Sequence, residues 1–119
     1  IDYINLHGTG TQANDLMEAR AVYNIFGAKV PASSTKPLTG HCLGAAASIE
    51  TALCCRLLEK GTDKVFPHIY DGEYDEKLPK ILLADKSTKL GEVKTCLSTS
   101  FGFGGTNCAI VLRRKICTT

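Results

Sequence analysis

The sequence predicts an α/β fold, and three observations carry that prediction. A short segment, Asp2 to Leu6, opens the chain as a strand, with Tyr3, Ile4 and Leu6 apolar. Two longer segments repeat their apolar residues at helical spacing, and each stops at a glycine, Gly27 and Gly61. Near the end, the strand-like runs Thr95 to Phe101 and Ala109 to Arg113 flank the turn Gly102 to Asn107, which reads as an antiparallel hairpin. The order is β-α-β-α, an irregular stretch, then β-β, which is an α/β pattern.

The first helix is expected to open at Asn14 or Asp15, after the Gly/Thr loop His7 to Ala13. Leu16, Ala19, Tyr23 and Phe26 fall on one of its faces. Asp15 and Glu18 have the spacing of a capping pair. Val30 to Ser34 reads as a strand, followed by a loop through His41. The second helix runs from about Leu43 to Lys60, with Ile49, Leu53 and Leu57 at i, i+4 and i+8 and a thin surface of Ala45, Ala46, Ala47 and Ala52. Little of its circumference is polar, which suits a helix buried between two sheets. Residues 62–92 are punctuated by Pro67, Gly72 and Pro79, and Ile81 to Ala84 is a candidate short strand.

The 119 residues fit one domain, and a content of 44% hydrophobic and 22% charged residues is globular. The net charge of +2 gives no reason to expect a nucleic acid or an anionic membrane as partner, and Arg113-Arg114-Lys115 is too short to alter that. No apolar run approaches the ~20 residues needed to span a bilayer. The opening Ile1-Asp2-Tyr3 lacks Met and does not read as a signal peptide, so the chain is read as a fragment of a larger protein. The six cysteines include no CxxC pair, and two are adjacent within a helical pattern. They are expected to be small buried apolar residues in a reducing compartment.

Three loops at element ends hold the chemistry-bearing residues: His7-Gly8-Thr9-Gly10-Thr11, Ser33 through His41 with Lys36 inside it, and Phe101-Gly102-Phe103-Gly104-Gly105-Thr106-Asn107. The third fails as a dinucleotide fingerprint, because Asn107 stands where GxGxxG needs glycine and a strand follows rather than a helix. A phosphate-binding P-loop fails for want of GK[ST]. His7, His41 and His68 have no partner at zinc-ligand spacing, and His68, after Pro67, reads as an ordinary surface or structural residue.

Together, and in this order, the three motifs resemble the β-ketoacyl-acyl-carrier-protein synthases, and more narrowly the elongating types of fatty acid synthesis. The resemblance spans nearly the whole chain. Two positions depart from the pattern: Ala47 stands where the family has glycine, and Pro37 where relatives often have Ser or Ala. The resemblance implies a thiolase-like fold, with this chain as the C-terminal βαβαββ half of a five-layered αβαβα homodimeric enzyme. It implies decarboxylative condensation of an acyl thioester with malonyl-acyl carrier protein. The cysteine nucleophile of that reaction lies far upstream of the His-Gly-Thr motif, in the missing N-terminal half, and the fragment alone is expected to be inactive.

By the same resemblance, His7 and His41 donate N–H to the thioester oxygen as enolate charge builds on it. The positive end of the second helix favours the neutral, donating form of His41. Lys36 and Glu18 are implied to pair and to orient the histidines, while Asp15 caps the first helix. Thr9 and Thr11 are implied to bind the phosphopantetheine arm of the carrier. Phe103 contributes its N–H to an oxyanion hole, and Phe101 with Phe103 moves to admit the acyl chain. No metal or nucleotide cofactor is implied, since the phosphopantetheine arrives on the acyl carrier protein. The compartment implied is the cytoplasm, an organellar matrix or a plastid. A polyketide ketosynthase shares all three motifs, and a non-catalytic chain-length partner subunit would keep the fold and lose the cysteine. The histidine pair argues against a thiolase or a chain-initiating synthase. Without its other half, the chain is expected to expose apolar surface and to associate or dissolve poorly.

Overall fold

A computed structural model describes residues 1–115. Its elements are β1 (Tyr3–Asn5), α1 (Gln12–Phe26), β2 (Ala32–Ser33), α2 (Lys36–Thr39), a 3-10 turn (Leu43–Ala45), α3 (Ala46–Lys60), β3 (Thr95–Phe101), a second 3-10 turn (Phe103–Gly105) and β4 (Asn107–Arg113). The four strands form one sheet in the order β2-β1-β3-β4. β1 runs parallel to both β2 and β3, with Ile4 beside Ala32 and Tyr3 beside Cys96. β3 and β4 form the antiparallel hairpin expected from the sequence, with Thr95 opposite Arg113 and Phe101 opposite Asn107.

The sheet is packed on both faces, as parallel strands require. Tyr3 and Cys96 point to one face, where Cys54, Leu57 and Leu58 of α3 close over them with Val65 and Val93. Ile4 and Leu6 point to the other, against Val22 of α1, Ala32 and Ile81. Each such aliphatic side chain contributes about 1.5–3 kcal/mol on full burial. Tyr3 is buried completely, and its hydroxyl shares a 2.6 Å hydrogen bond with Ser33 Oγ. Burial pushes that phenol well above its usual pKa.

Several local expectations are corrected. α1 opens at Gln12 with Thr11 at the N-cap, ahead of Asn14. Asp15 does not cap it: its own N–H already donates to Thr11 O at 2.9 Å, and no side chain caps that end. Tyr23 lies on the exposed side, and Val22 takes the core position. The second helix begins as the 3-10 turn, and its buried stripe is Ala46, Glu50, Cys54, Leu57 and Leu58, with Ile49 and Leu53 half-buried beside it. Val30 to Ser34 shortens to the two residues of β2, and Ile81 to Ala84 yields only a parallel bridge between Leu83 and Ala32. Among the cysteines, Cys54 and Cys96 are buried and Cys55 is half-buried. Cys42 and Cys108 are exposed, one in the loop before α3 and one on the edge strand β4, while Cys117 lies outside the described residues.

β1, β2 and β3 share a direction, so their carboxyl ends lie along one edge of the sheet. His7 follows β1, Lys36 follows β2, and the Phe101–Asn107 turn follows β3. All three chemistry-bearing loops therefore meet there, where open α/β sheets hold their sites.

Candidate active site

The geometry begins with Glu18. Its position on α1 places the carboxylate under the loop that leaves β1. Oε1 accepts from His7 N–H at 2.9 Å and from Thr99 Oγ at 2.7 Å, and Oε2 accepts from Gly8 N–H at 2.8 Å. Asn14 Nδ2 adds a longer contact at 3.4 Å. Burial pushes the Glu18 carboxyl up, against the opposing pull of these donors. From the other side, Ser34 Oγ donates to Gly8 O at 2.8 Å. Gly8 has φ +43°, and a Cβ there would lie 2.5 Å from Ser34 Cβ. Only glycine permits that crossing of two loops.

The histidine loop is thus clamped and its ring is directed. His7 is 7% exposed, and its Nδ1 lies 3.5 Å from Lys36 Nζ. An ammonium can only donate, so Nδ1 is the acceptor and Nε2 carries the proton. Burial, then the Lys36 charge, then His41, hold His7 below its ordinary pKa, so it is the neutral donor at pH 7. His41 faces it with ring centroids 5.4 Å apart at 87°. The amide of Leu43, at the start of the helical segment, reaches His41 Nδ1 at 3.4 Å, which again leaves Nε2–H as the donor. The two rings thus face each other across a short gap, each with its Nε2 left to carry the proton. The edge of Phe101 packs on the third side of His7, at 5.8 Å and 89°.

Lys36 does not pair with Glu18. Its partner is Glu50 of α3, and both side chains are almost wholly buried. Glu18 is already engaged by the His7 and Gly8 N–H groups and the Thr99 hydroxyl, whereas Lys36 meets Glu50 of α3. Glu50 was not found by sequence reasoning. The available signal was one carboxylate in an otherwise small and apolar helix face, four residues before Cys54. Asn5 was missed as well; it is completely buried in β1 and reaches Thr35 Oγ1 at 3.4 Å.

Thr9 and Thr11 share a hydrogen bond of 3.0 Å between their hydroxyls. With His7, His41, Phe101 and Phe103 they line one cleft of about 580 Å³, floored by Ala46 and Ala47 at the head of α3. The Ala47 methyl fits there as an ordinary half-buried helix residue. Phe103 stands at the rim, fully exposed, in a turn where Gly104 and Gly105 take φ of 78° and 86°. Lys36 and Glu18 do not line this cleft, but both touch His7. Among the described residues, no cluster of three or more His, Cys, Asp or Glu is placed to hold a metal ion.

Known proteins resemble this chain in both sequence and fold. Residues 1–69 match the family described as beta-ketoacyl synthase, C-terminal domain. The chain is 43% identical over 115 residues to 3-oxoacyl-[acyl-carrier-protein] synthase 1 of Escherichia coli (strain K12), covering 96% of this chain and 28% of that protein. A ketosynthase from Xenorhabdus doucetiae, solved in complex with its chain length factor, superposes with a TM-score of 0.89 at 42% identity, over 97% of this chain and 29% of that one. A type II polyketide ketosynthase bound to its acyl-carrier protein superposes with a TM-score of 0.84 at 32% identity, over 97% of this chain and 28% of that one. The chain thus spans little more than a quarter of the relatives it matches, and it corresponds to their C-terminal part. With its thiolase-like fold, its family match and its paired strand-end histidines, this chain belongs to the β-ketoacyl synthase family, as that family's C-terminal domain.

Proposed function

We propose that the intact protein is a condensing enzyme that joins an acyl thioester to malonyl-acyl carrier protein with loss of carbon dioxide, and that this chain supplies the groups which stabilise the enolate. The observation that carries the reading is the facing of His7 and His41, 5.4 Å apart, each with an amine or amide against Nδ1. A malonyl thioester oxygen set between the two Nε2–H groups receives two hydrogen bonds as decarboxylation places negative charge on it. Donors already fixed in this way cost no reorganisation when the charge develops. Burial keeps His7 neutral, and Lys36 adds to this, since a second positive charge beside its ammonium is unfavourable. Glu50 balances Lys36, and Glu18 sets the backbone from which His7 projects.

The acyl group is held as a thioester on a cysteine outside this chain. The enolate carbon attacks that thioester carbonyl, and the Phe103 N–H helps receive its oxyanion. Thr9 and Thr11 offer hydroxyls to the amides of the phosphopantetheine arm, which arrives on the carrier. Phe103, exposed among glycines, and Phe101 against His7 gate the acyl chain. The intact protein works as a dimer, in the cytoplasm or an organellar matrix. The resemblance to the Xenorhabdus ketosynthase favours one second reading, a polyketide ketosynthase paired with a chain length factor. The test is to supply the intact protein with acyl and malonyl carrier protein. A 3-oxoacyl product is expected, with none from the 119-residue chain alone; product from this chain by itself contradicts the assignment of the nucleophile.

A further inference from the structure

The irregular segment 62–92 adds one residue to this site that the motifs do not contain. His68 is half-buried, and its main-chain N–H donates to Ala84 O at 2.7 Å, fixing the backbone below the ring. Its Nδ1 accepts the N–H of Ser34 at 3.0 Å. Ser34 is 2% exposed and is the residue whose Oγ donates to Gly8 O at 2.8 Å and takes the Lys36 N–H at 3.3 Å. One imidazole therefore holds the peptide that ties the His7 loop to the Lys36 loop. We propose that His68 is a positioning residue for His7, acting through Ser34 and Gly8, and that it does so only as the neutral imidazole.

The physical reason is donor geometry. Neutral His68 with its proton on Nε2 presents a lone pair to Ser34 N–H. Protonation puts a second N–H at Nδ1, so two donors face each other at 3.0 Å and the Ser34 peptide must withdraw. Gly8 O then loses its partner, and the backbone of the His7 loop keeps only Glu18 and Thr99 beneath it. The groups facing His68 decide when this happens. The Tyr70 ring lies beside it at 5.3 Å, and Asp15 approaches from α1. Glu18, Lys36, His41, Asp71, Glu73 and Asp75, with Tyr74, line the same cleft of about 520 Å³. Burial lowers the His68 pKa and outweighs the opposing pull of the Asp15 carboxylate. Because the folded pKa lies below that of the unfolded chain, about 6.5, the unfolded state takes up the proton first. Stability contributed by neutral His68 is complete above that value and is lost as pH falls toward the folded pKa.

The proposal rests on the condensing reading only for its catalytic readout. The first measurement is independent of activity: the protection of the Ser34 amide against hydrogen exchange, resolved by residue in the intact protein as a function of pH. Protection should fall in the wild type as the solution is acidified below about pH 6.5. It should stay constant in His68→Asn, whose Oδ1 accepts the same N–H without titrating. His68→Ala should lose it at neutral pH. The second measurement is malonyl decarboxylation. His68→Ala should lower the rate by roughly 10- to 100-fold, the scale of a misplaced catalytic group. His68→Asn should restore it and remove one proton from the acid limb, leaving that of His7. Ser34 protection indifferent to pH in the wild type, or an Asn variant no better than Ala, overturns the proposal. Protection that follows His68 in a protein without condensing activity removes the functional reading and leaves the latch.

Discussion

Gly8→Ala is the sharpest perturbation of the loop that carries His7. Two costs act together. The residue has φ +43°, a left-handed conformation that costs an L side chain about 1–2 kcal/mol. The new methyl would also lie 2.5 Å from Ser34 Cβ and 2.8 Å from Ser34 Oγ, and neither is the end of a long flexible side chain. Relieving such an overlap costs about 1–3 kcal/mol, so the variant should lose about 2–5 kcal/mol in all. The assay is urea unfolding of the intact protein, followed by fluorescence. Ser34→Gly removes the opposing Cβ, so Gly8→Ala/Ser34→Gly should be less destabilised than the sum of the single changes by about 1–3 kcal/mol. The strain at φ should remain. A Gly8→Ala protein within about 0.5 kcal/mol of wild type would refute the account of this crossing.

Other consequences follow from the same contacts. Lys36→Met leaves Glu50 buried without its partner and should cost about 3–5 kcal/mol, whereas Lys36→Met/Glu50→Leu should cost distinctly less; paired unfolding curves decide this. In that double variant the Lys36 charge no longer depresses the His7 pKa, so the acid limb of malonyl decarboxylation should move to higher pH. An unmoved limb assigns that limb to another group. Phe103→Ala should change stability by no more than about 0.5 kcal/mol, because the ring is fully exposed, yet lower kcat/KM for acyl transfer. The 119-residue chain by itself exposes Leu43, Ile110 and Val111 as well as Phe103, and sedimentation should find it associated rather than monomeric.

The order of elements was legible because its signals are local. The glycines at 27 and 61 end α1 and α3 with φ of 60° and 56°, and the Gly-rich turn closes the β3–β4 hairpin. The three motifs also carried the family. What stayed hidden depends on partners distant in sequence. Glu50 disturbs the apolar period of α3 because it is buried for Lys36, so the stripe read from Ile49, Leu53 and Leu57 is displaced from the observed one. Glu18 and Lys36 line one cleft yet do not pair, because the backbone donors of His7 and Gly8 take the Glu18 carboxylate and Glu50 takes the Lys36 ammonium. β2 is two residues long and α2 four, below the length at which a periodic pattern can be read. His68 sits where no regular element marks it, and its contact with Ser34 appears only once the irregular segment is folded over β2.

The central claim is that His7 and His41 act together on the malonyl thioester and not on acyl loading. It is tested most directly by replacing either with Ala in the intact protein and measuring two half-reactions on the same preparation, acyl transfer from carrier to enzyme and carbon dioxide release from malonyl carrier protein. The facing of the rings at 5.4 Å predicts that His41→Ala abolishes decarboxylation while acyl transfer proceeds, and that His7→Ala does the same to decarboxylation. A folded His41→Ala protein that releases carbon dioxide at the wild-type rate would contradict it.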